Sequence, residues 1–313
     1  MSIYCCLISI CEVLKHKNKS KIKLIRIFNH VKYIALSVIE NYILRLTPLR
    51  FQKNSIIREK KIIVSLTTYP KRINSCYYAI KSILLQTYRP DEIILWLAKS
   101  QFVDVELPYN LTIIAEKGLL TIRYCDDLRS HKKYYYILQE QTRDEVVITF
   151  DDDIIYHPKT IERALNKHHQ YPSSIVANLV YSIAIDNEKG EVMPYTTWRH
   201  PKDLCPVPAL NKFSVLTGSG CLYPYGALCK EAFEVQRIKE LAFTADDLWI
   251  TFMAMLSKTT IVQTDIAAKP FTTINNSQKE HLALINSIGS GNDDTVKRLL
   301  DYYPELKEEL FRK

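Results

Sequence analysis

The chain has 313 residues, 47% hydrophobic and 24% charged, a balance that excludes a disordered or fibrous protein and leaves enough apolar mass for a sizeable core. Its net charge of +8 is uneven: residues 1 to 61 hold 13 Lys and Arg against 3 Asp and Glu, or +10, so the remaining 29 basic and 31 acidic residues sum to −2. A nearly neutral body excludes an electrostatically driven nucleic-acid binder.

Eight cysteines, Cys5, Cys6, Cys11, Cys76, Cys125, Cys205, Cys221 and Cys229, form no CxxC pair. Their irregular spacing argues against a structural zinc site and for reduced, mostly buried thiols of a cytoplasmic protein.

Residues 1 to 61 read as a basic N-terminal extension. The apolar run SIYCCLISICEVL is shorter than the ~20 residues needed to span a bilayer. Its positive charges follow it, in KHKNKSKIKLIR, whereas a signal peptide carries them in front. A second apolar run, YIALSVIENYILRL, fits an amphipathic helix with Lys32 and Arg45 at its ends. Two readings stand: a segment lying on the inner face of the cytoplasmic membrane, or a helical extension packed on the body.

From residue 62 to 313 the pattern is that of one α/β domain. IIVSL (62–66) is a β-branched strand, SCYYAIKSILLQ (75–86) has helical spacing, and EIILWLA (92–98) is a buried strand. LTIRYC (120–125) is a third strand, HKKYYYILQEQ (131–141) a helix, and VVITF (146–150) a fourth strand. PKTIERALNKHH (158–169) opens on proline, as first helical turns often do. Further on, SIVANLVYSIAI reads as strand, VLTGSGCLYP as a glycine-marked turn into a strand, and a helix begins near ADDLWITFMAML (245–256). Strands alternating with helices predict a mostly parallel sheet, with ligands bound beyond the carboxyl ends of its strands.

The fourth strand runs directly into Asp151, Asp152 and Asp153. Adjacent carboxylates suit a hard divalent cation, Mg²⁺ or Mn²⁺, completed by phosphate oxygens. The plainer alternative is a solvated acidic turn. A second pair, Asp246 and Asp247, precedes an apolar helical run and serves either as its cap or as a general base. Between them, DLRSHKK places His131, Lys132 and Lys133 in a first helical turn, either as an anion-binding start or as an exposed basic turn. YPKRI follows the first strand at the same sheet edge.

With VSLTTYPKRI, QTYRPDEIILWLA, DLRSHKKYYY, TFDDDIIYHP, TGSGCLYP, ADDLW and GNDD in that order, the chain resembles the GT-A fold, nucleotide-sugar-dependent glycosyltransferases, in particular the family-two-like enzymes of bacterial surface polysaccharides. The resemblance covers about residues 62 to 300 and implies a Rossmann-like mixed, mostly parallel sheet flanked by helices. It implies that Asp151 and Asp153 hold Mg²⁺ or Mn²⁺, with Asp152 facing ribose or sugar. Thr67, Tyr69, Arg72, Asp126 or Asp127, and Lys133 then bind the donor. Gly218, Ser219 and Gly220 line the acceptor side, and Trp249 stacks on the acceptor sugar. Asp247 is the base, with Asp246 beside it. His281 is the one late candidate for a further metal ligand, or an exposed helix residue. The implied activity is sugar transfer from a nucleotide-sugar to a saccharide or lipid-linked acceptor, with inversion. The alternatives are a nucleotidyltransferase acting on sugar phosphates, disfavoured by the glycine-free SLTTYPKRI, and a sugar-nucleotide-binding pseudoenzyme.

Overall fold

A computed structural model describes residues 23–49, 59–201, 207–264, 271–275 and 291–312. Helix α1 (Lys23–Leu46) comes first, longer than the amphipathic run read from the sequence, so that Lys32 lies within it rather than at its end. There follow β1 (Lys61–Thr67), α2 (Ile73–Leu84), β2 (Glu92–Ala98), α3 (Tyr109–Glu116), β3 (Thr121–Cys125), α4 (Lys132–Glu140) and β4 (Glu145–Phe150). The next elements are β5 (Ile154–Ile155), α5 (Thr160–Gln170), β6 (Ile175–Ala177), β7 (Val180–Ser182), β8 (Ile185–Asp186), β9 (Glu191–Val192), β10 (Phe213–Val215) and β11 (Ser219–Tyr223). The last are α6 (Val235–Leu241), α7 (Asp246–Leu256), β12 (Ile261–Gln263), β13 (Thr272–Thr273), α8 (Gly291–Tyr302) and α9 (Pro304–Leu310).

Seven strands form the main sheet in the order β12-β6-β11-β4-β1-β2-β3. β1 pairs in parallel with β2 and β4, and β2 with β3. β11 runs against both of its neighbours, β4 and β6. This is the mixed, mostly parallel, Rossmann-like α/β architecture that the alternation of strands and helices predicts. The reversal has a functional consequence: the start of β11 lies at the same edge as the carboxyl ends of β1, β2, β3 and β4.

The pleat explains why the central strands are apolar on both faces. Ile62, Val64 and Leu66 of β1, and Val146, Ile148 and Phe150 of β4, pack with Ile80 of α2, Ile114 of α3 and Ile161 of α5. Ile63, Ile94, Trp96 and Val147 point the other way, toward Ile137 of α4. Each such buried aliphatic side chain contributes roughly 1.5–3 kcal/mol relative to exposure. A further core joins α7 to α8 and α9 through Trp249, Phe252, Met253, Leu299 and Leu306. From Leu248 to Met255, α7 is buried on every side, as a helix apolar all round must be.

Several expectations need correction. The stretch expected as one strand after residue 174 is β6, β7 and the start of a hairpin, β8 with β9. Pro158 lies before Lys159, the residue flanking α5, and not in its first turn. Helices α3, α6, α8 and α9 did not stand out in the sequence. Among the described residues, Cys76, Cys125 and Cys221 are buried free thiols and Cys229 is a half-buried one. No described helix is long and apolar enough to cross a membrane.

Candidate active site

The carboxyl ends of β1, β2, β3 and β4 border a cavity of about 800 Å³. Thr67, Tyr69 and Arg72 line it from the β1 side, Asp127 from beyond β3, and Asp151, Asp152 and Asp153 from beyond β4. Lys133, Asp246 and Asp247 line it as well, so the two acidic motifs, 93 positions apart at Asp153 and Asp246, meet in one cleft.

The triplet is held by opposite charges and not by open water. Asp152 is buried, accepts the Thr68 hydroxyl at 2.5 Å, and takes Arg72 Nη1 at 2.9 Å. Burial pushes the Asp152 carboxyl up, while Arg72 and Thr68 oppose that shift. The same Nη1 is 2.9 Å from Asp153 Oδ2. Asp152 therefore anchors the turn through protein groups while still lining the cavity.

Asp151 pairs with Lys133, whose Nζ is 2.6 Å from Asp151 Oδ1 and 2.9 Å from Asp246 Oδ2. Lys133 is almost wholly buried, and although burial opposes its charge, Asp151 and Asp246 raise its pKa well above the ordinary value. It is a buried clamp between two motifs, with its charge already matched, and not a spare cation awaiting phosphate. The turn before it is buried too. His131 Nε2 lies 2.9 Å from the Ala242 carbonyl, which only accepts, so Nδ1 accepts the Tyr134 hydroxyl at 2.9 Å. Burial lowers the His131 pKa to about 4, and the ring is neutral. Lys132 donates to Asp127 at 2.6 Å, and Asp127 also takes Gln101 Nε2 and the Arg129 N–H. Arg129 is one of two described non-glycine residues with positive φ, at 50°, and it too lines the cavity. The exposed basic turn and the simple anion-binding helix start are both corrected by this pairing.

Asp246 and Asp247 occupy the first turn of α7. The flanking residue is Ala245, with no side-chain cap, so neither aspartate is the cap considered from the sequence. Their environments diverge. Burial alone would raise the Asp246 carboxyl, but the Lys133 charge beside it holds it well below the usual range. Burial and the neighbouring Asp246 charge push Asp247 up to about 7. Thr217 donates its N–H to Asp247 Oδ1 at 2.7 Å, and its hydroxyl oxygen is 2.6 Å from the same atom and 2.7 Å from Asp246 Oδ2.

Tyr156, which was not singled out from the sequence, locks the floor. Its hydroxyl accepts the Asp151 N–H at 2.7 Å and donates to the Gly218 carbonyl at 2.6 Å. Gly218 is where TGSGCLYP approaches the triplet: a Cβ there would stand 1.7 Å from Asp151 Oδ2. Gly218 thus backs the carboxylate of Asp151 instead of lining an acceptor surface. Ser219 is buried and bonds the Leu179 N–H, and Gly220, with φ 86°, is at the irregular pairing of β11 with β4. Both are sheet residues. Trp249 is fully buried and donates Nε1–H to the Ala232 carbonyl, so it is not available to stack on a sugar. His281 lies outside the described residues.

Thr68 and Thr217 were missed although each lies within a quoted motif, VSLTTYPKRI and TGSGCLYP. Their roles depend on contacts with positions 84, 29 and 30 residues away. Among the described residues, no group of three His, Cys, Asp or Glu forms a self-sufficient metal cage. Asp151 and Asp153 each bring carboxylate oxygens to the cavity wall, paired with Lys133 and Arg72 respectively. That donor set fits Mg²⁺ or Mn²⁺ bound together with a phosphorylated ligand, since Mg²⁺ usually takes only one or two protein carboxylates and completes its shell with water and phosphate.

No family model and no curated protein matches the chain. It is similar to the solved structure of S. aureus TarS 1-349 in complex with UDP, at 18% identity over 66% of this chain and 59% of that one, with a TM-score of 0.40. TarS 1-349 also appears at 16% identity over 78% and 73% of the two chains, TM-score 0.40. A third similarity is to 4-diphosphocytidyl-2C-methyl-D-erythritol synthase, at 9% identity over 78% and 99%, again with a TM-score of 0.40. At that distance the likenesses say nothing of activity, and the functional reading stands on the site itself.

Proposed function

We propose that the protein is a metal-dependent, inverting glycosyltransferase that moves a sugar from a nucleotide-sugar to a hydroxyl of a saccharide or lipid-linked acceptor. The observation that carries this reading is the meeting of the two acidic motifs, Asp151 to Asp153 and Asp246 with Asp247, at one cavity wall, joined by Lys133 at 2.6 Å from Asp151 and 2.9 Å from Asp246, with Asp246 held low by Lys133 and Asp247 raised by burial and the Asp246 charge. Two neighbouring acids with separated pKa values are a signature of acid–base assignment, and a base near neutrality suits the task.

In this reading the acceptor oxygen attacks the anomeric carbon, and the bond from that carbon to the diphosphate oxygen breaks with its electron pair. The acceptor proton passes to ionised Asp247. Thr217 fixes the orientation of Asp247, and Lys133 pairs with Asp246 beside it. Thr67, Tyr69, Arg72 and Asp127 form the donor side of the cleft. A Mg²⁺ or Mn²⁺ held by Asp151 and Asp153 would neutralise the charge gathering on the departing diphosphate.

The test is a thermal-shift screen of nucleoside diphosphates and nucleotide-sugars, with and without Mn²⁺, followed by labelled sugar transfer. A ligand selective for the native state raises the melting temperature by mass action. Stabilisation by a nucleotide-sugar that needs Mn²⁺ supports the reading. Formation of a nucleotide-sugar from a nucleoside triphosphate and a sugar phosphate would replace it with nucleotidyl transfer. Binding without turnover on any acceptor or water would leave a pseudoenzyme.

A further inference from the structure

Helix α1 has two faces of opposite character. The inner face is tied to β13 by polar teeth. Buried Asn41 donates to the Thr273 carbonyl at 3.1 Å and accepts the Asn275 N–H at 3.0 Å. The Tyr33 hydroxyl donates to the Phe271 carbonyl, and the Thr272 hydroxyl to buried Glu40. Leu44 completes the seam against Ala79, Ile155 and Ile274. β13 in turn pairs with β5, the two residues directly after the aspartate triplet, and Phe271 and Thr273 line the cavity. The helix is therefore fastened to the wall of the candidate active site.

The outer face carries Val31, Ile34, Val38, Tyr42 and Leu46, each between 39 and 80% exposed. At 3.6 residues per turn these five fall within one sector of about 120°. Isolated exposed apolar residues are ordinary, but a continuous stripe along a helix marks an interaction surface.

Charge identifies the occupant. Six Lys and Arg lie between residues 15 and 26, and the first 61 residues together carry +10 while the rest of the chain carries −2. An apolar stripe on a segment this basic matches an anionic lipid interface, where apolar side chains enter below the headgroups and cations stay at the phosphates. We infer that α1 lies in the plane of an anionic membrane surface on its Val31–Leu46 stripe. Its rigid link to β13 then sets the cavity beside that surface, so the acceptor is one presented by the bilayer. That last consequence rests on the transfer reading, while the docking itself does not.

The experiment uses the full chain in flotation with phosphatidylcholine vesicles, with and without phosphatidylglycerol. The expected result is flotation with the anionic vesicles only, and release at high salt as the charges are screened. The double variant Val38→Glu, Tyr42→Glu should partition about tenfold or more weakly, because both changes place charge in the stripe. Its melting temperature and nucleoside-diphosphate binding should match wild type, since neither position touches the cavity. Failure of the wild-type chain to float with anionic vesicles overturns the inference, as does equal flotation of the double variant. A dimer in light scattering that the double variant dissolves would assign the stripe to a second copy and overturn it too. Flotation without nucleotide-sugar binding keeps the docking and removes the transfer reading. Nucleotide-sugar binding without flotation does the reverse.

Discussion

Thr217 reaches Asp247 twice, with its N–H at 2.7 Å and its hydroxyl oxygen at 2.6 Å from the same carboxylate oxygen. The hydroxyl has one proton, yet Asp246 Oδ2 lies 2.7 Å away on the other side. With both aspartates ionised, one of those short contacts sets oxygen against oxygen without a proton between them. The hydroxyl proton serves one carboxylate at a time, and when it turns to Asp247 it favours the ionised form there, against burial and the Asp246 charge.

Asp247→Asn should therefore lower sugar transfer by ~100-fold or more and leave nucleotide-sugar affinity nearly unchanged, because a base acts on the acceptor proton in the transition state. Asparagine keeps an oxygen for the Thr217 N–H, so the variant should fold. Parallel measurement of donor affinity and transfer rate checks this; transfer at the wild-type rate would move the base elsewhere.

The same carboxyl gives two pH dependences of known sign. Transfer should rise with pH and level off above about 7, where Asp247 is ionised. In stability the native state holds this proton more tightly than the unfolded chain, from an ordinary value of 3.8 up to about 7. The contribution is complete below the unfolded value and is lost as pH rises through the folded one. Asp247→Asn should then gain melting temperature relative to wild type on going from pH 5 to pH 8. Thr217→Val removes a hydrogen bond that favours the ionised form and should shift the rate profile to higher pH. An unshifted profile would remove Thr217 from this role.

Lys133→Met tests the clamp. It leaves the buried Asp246 and the partly exposed Asp151 without their common cation; breaking a fully buried pair costs about 3–5 kcal/mol, and solvent at Asp151 brings the loss toward the lower end. Chemical denaturation should show this loss. A methionine variant as stable as wild type would mean that the three groups are better hydrated than their burial indicates.

Gly218→Ala should displace Asp151, because the added Cβ would stand 1.7 Å from Oδ2. The expected outcome is loss of metal-dependent donor binding. Gly220→Ala, strained by its φ of 86° and facing Thr160 and Asn178, should lower stability instead. Calorimetric titration of donor and a melting curve on both variants separate the two roles.

Asp153→Asn should leave the fold intact, since Arg72 retains Asp152 at 2.9 Å, and should abolish the metal dependence of donor binding. Titration of a nucleoside diphosphate with and without Mn²⁺ reads this directly. Undiminished metal dependence would sink the assignment of Asp151 and Asp153.

Local pattern alone established much of this protein. The apolar strands 92–98 and 146–150 are set by near-continuous runs of Ile, Val and Leu, and the structure places strands at Glu92–Ala98 and Glu145–Phe150. The alternation of strand and helix was enough for a mostly parallel sheet, and hence for a site beyond the strand ends, where Asp151, Asp152 and Asp153 stand. What each charged group does there was decided only in three dimensions. Lys133 read as an exposed or anion-binding cation until folding buried it between Asp151 and Asp246, and Trp249 looked like a sugar platform until α7 proved buried from Leu248 to Met255. Gly218 reads as part of a turn in the sequence and as an absent Cβ in the fold. The physical reason is common to all three. Secondary structure follows from interactions a few residues apart, which the sequence displays, whereas desolvation and ion pairing depend on neighbours brought in from 18 to 113 positions away, as with Asp151 and Asp246 around Lys133.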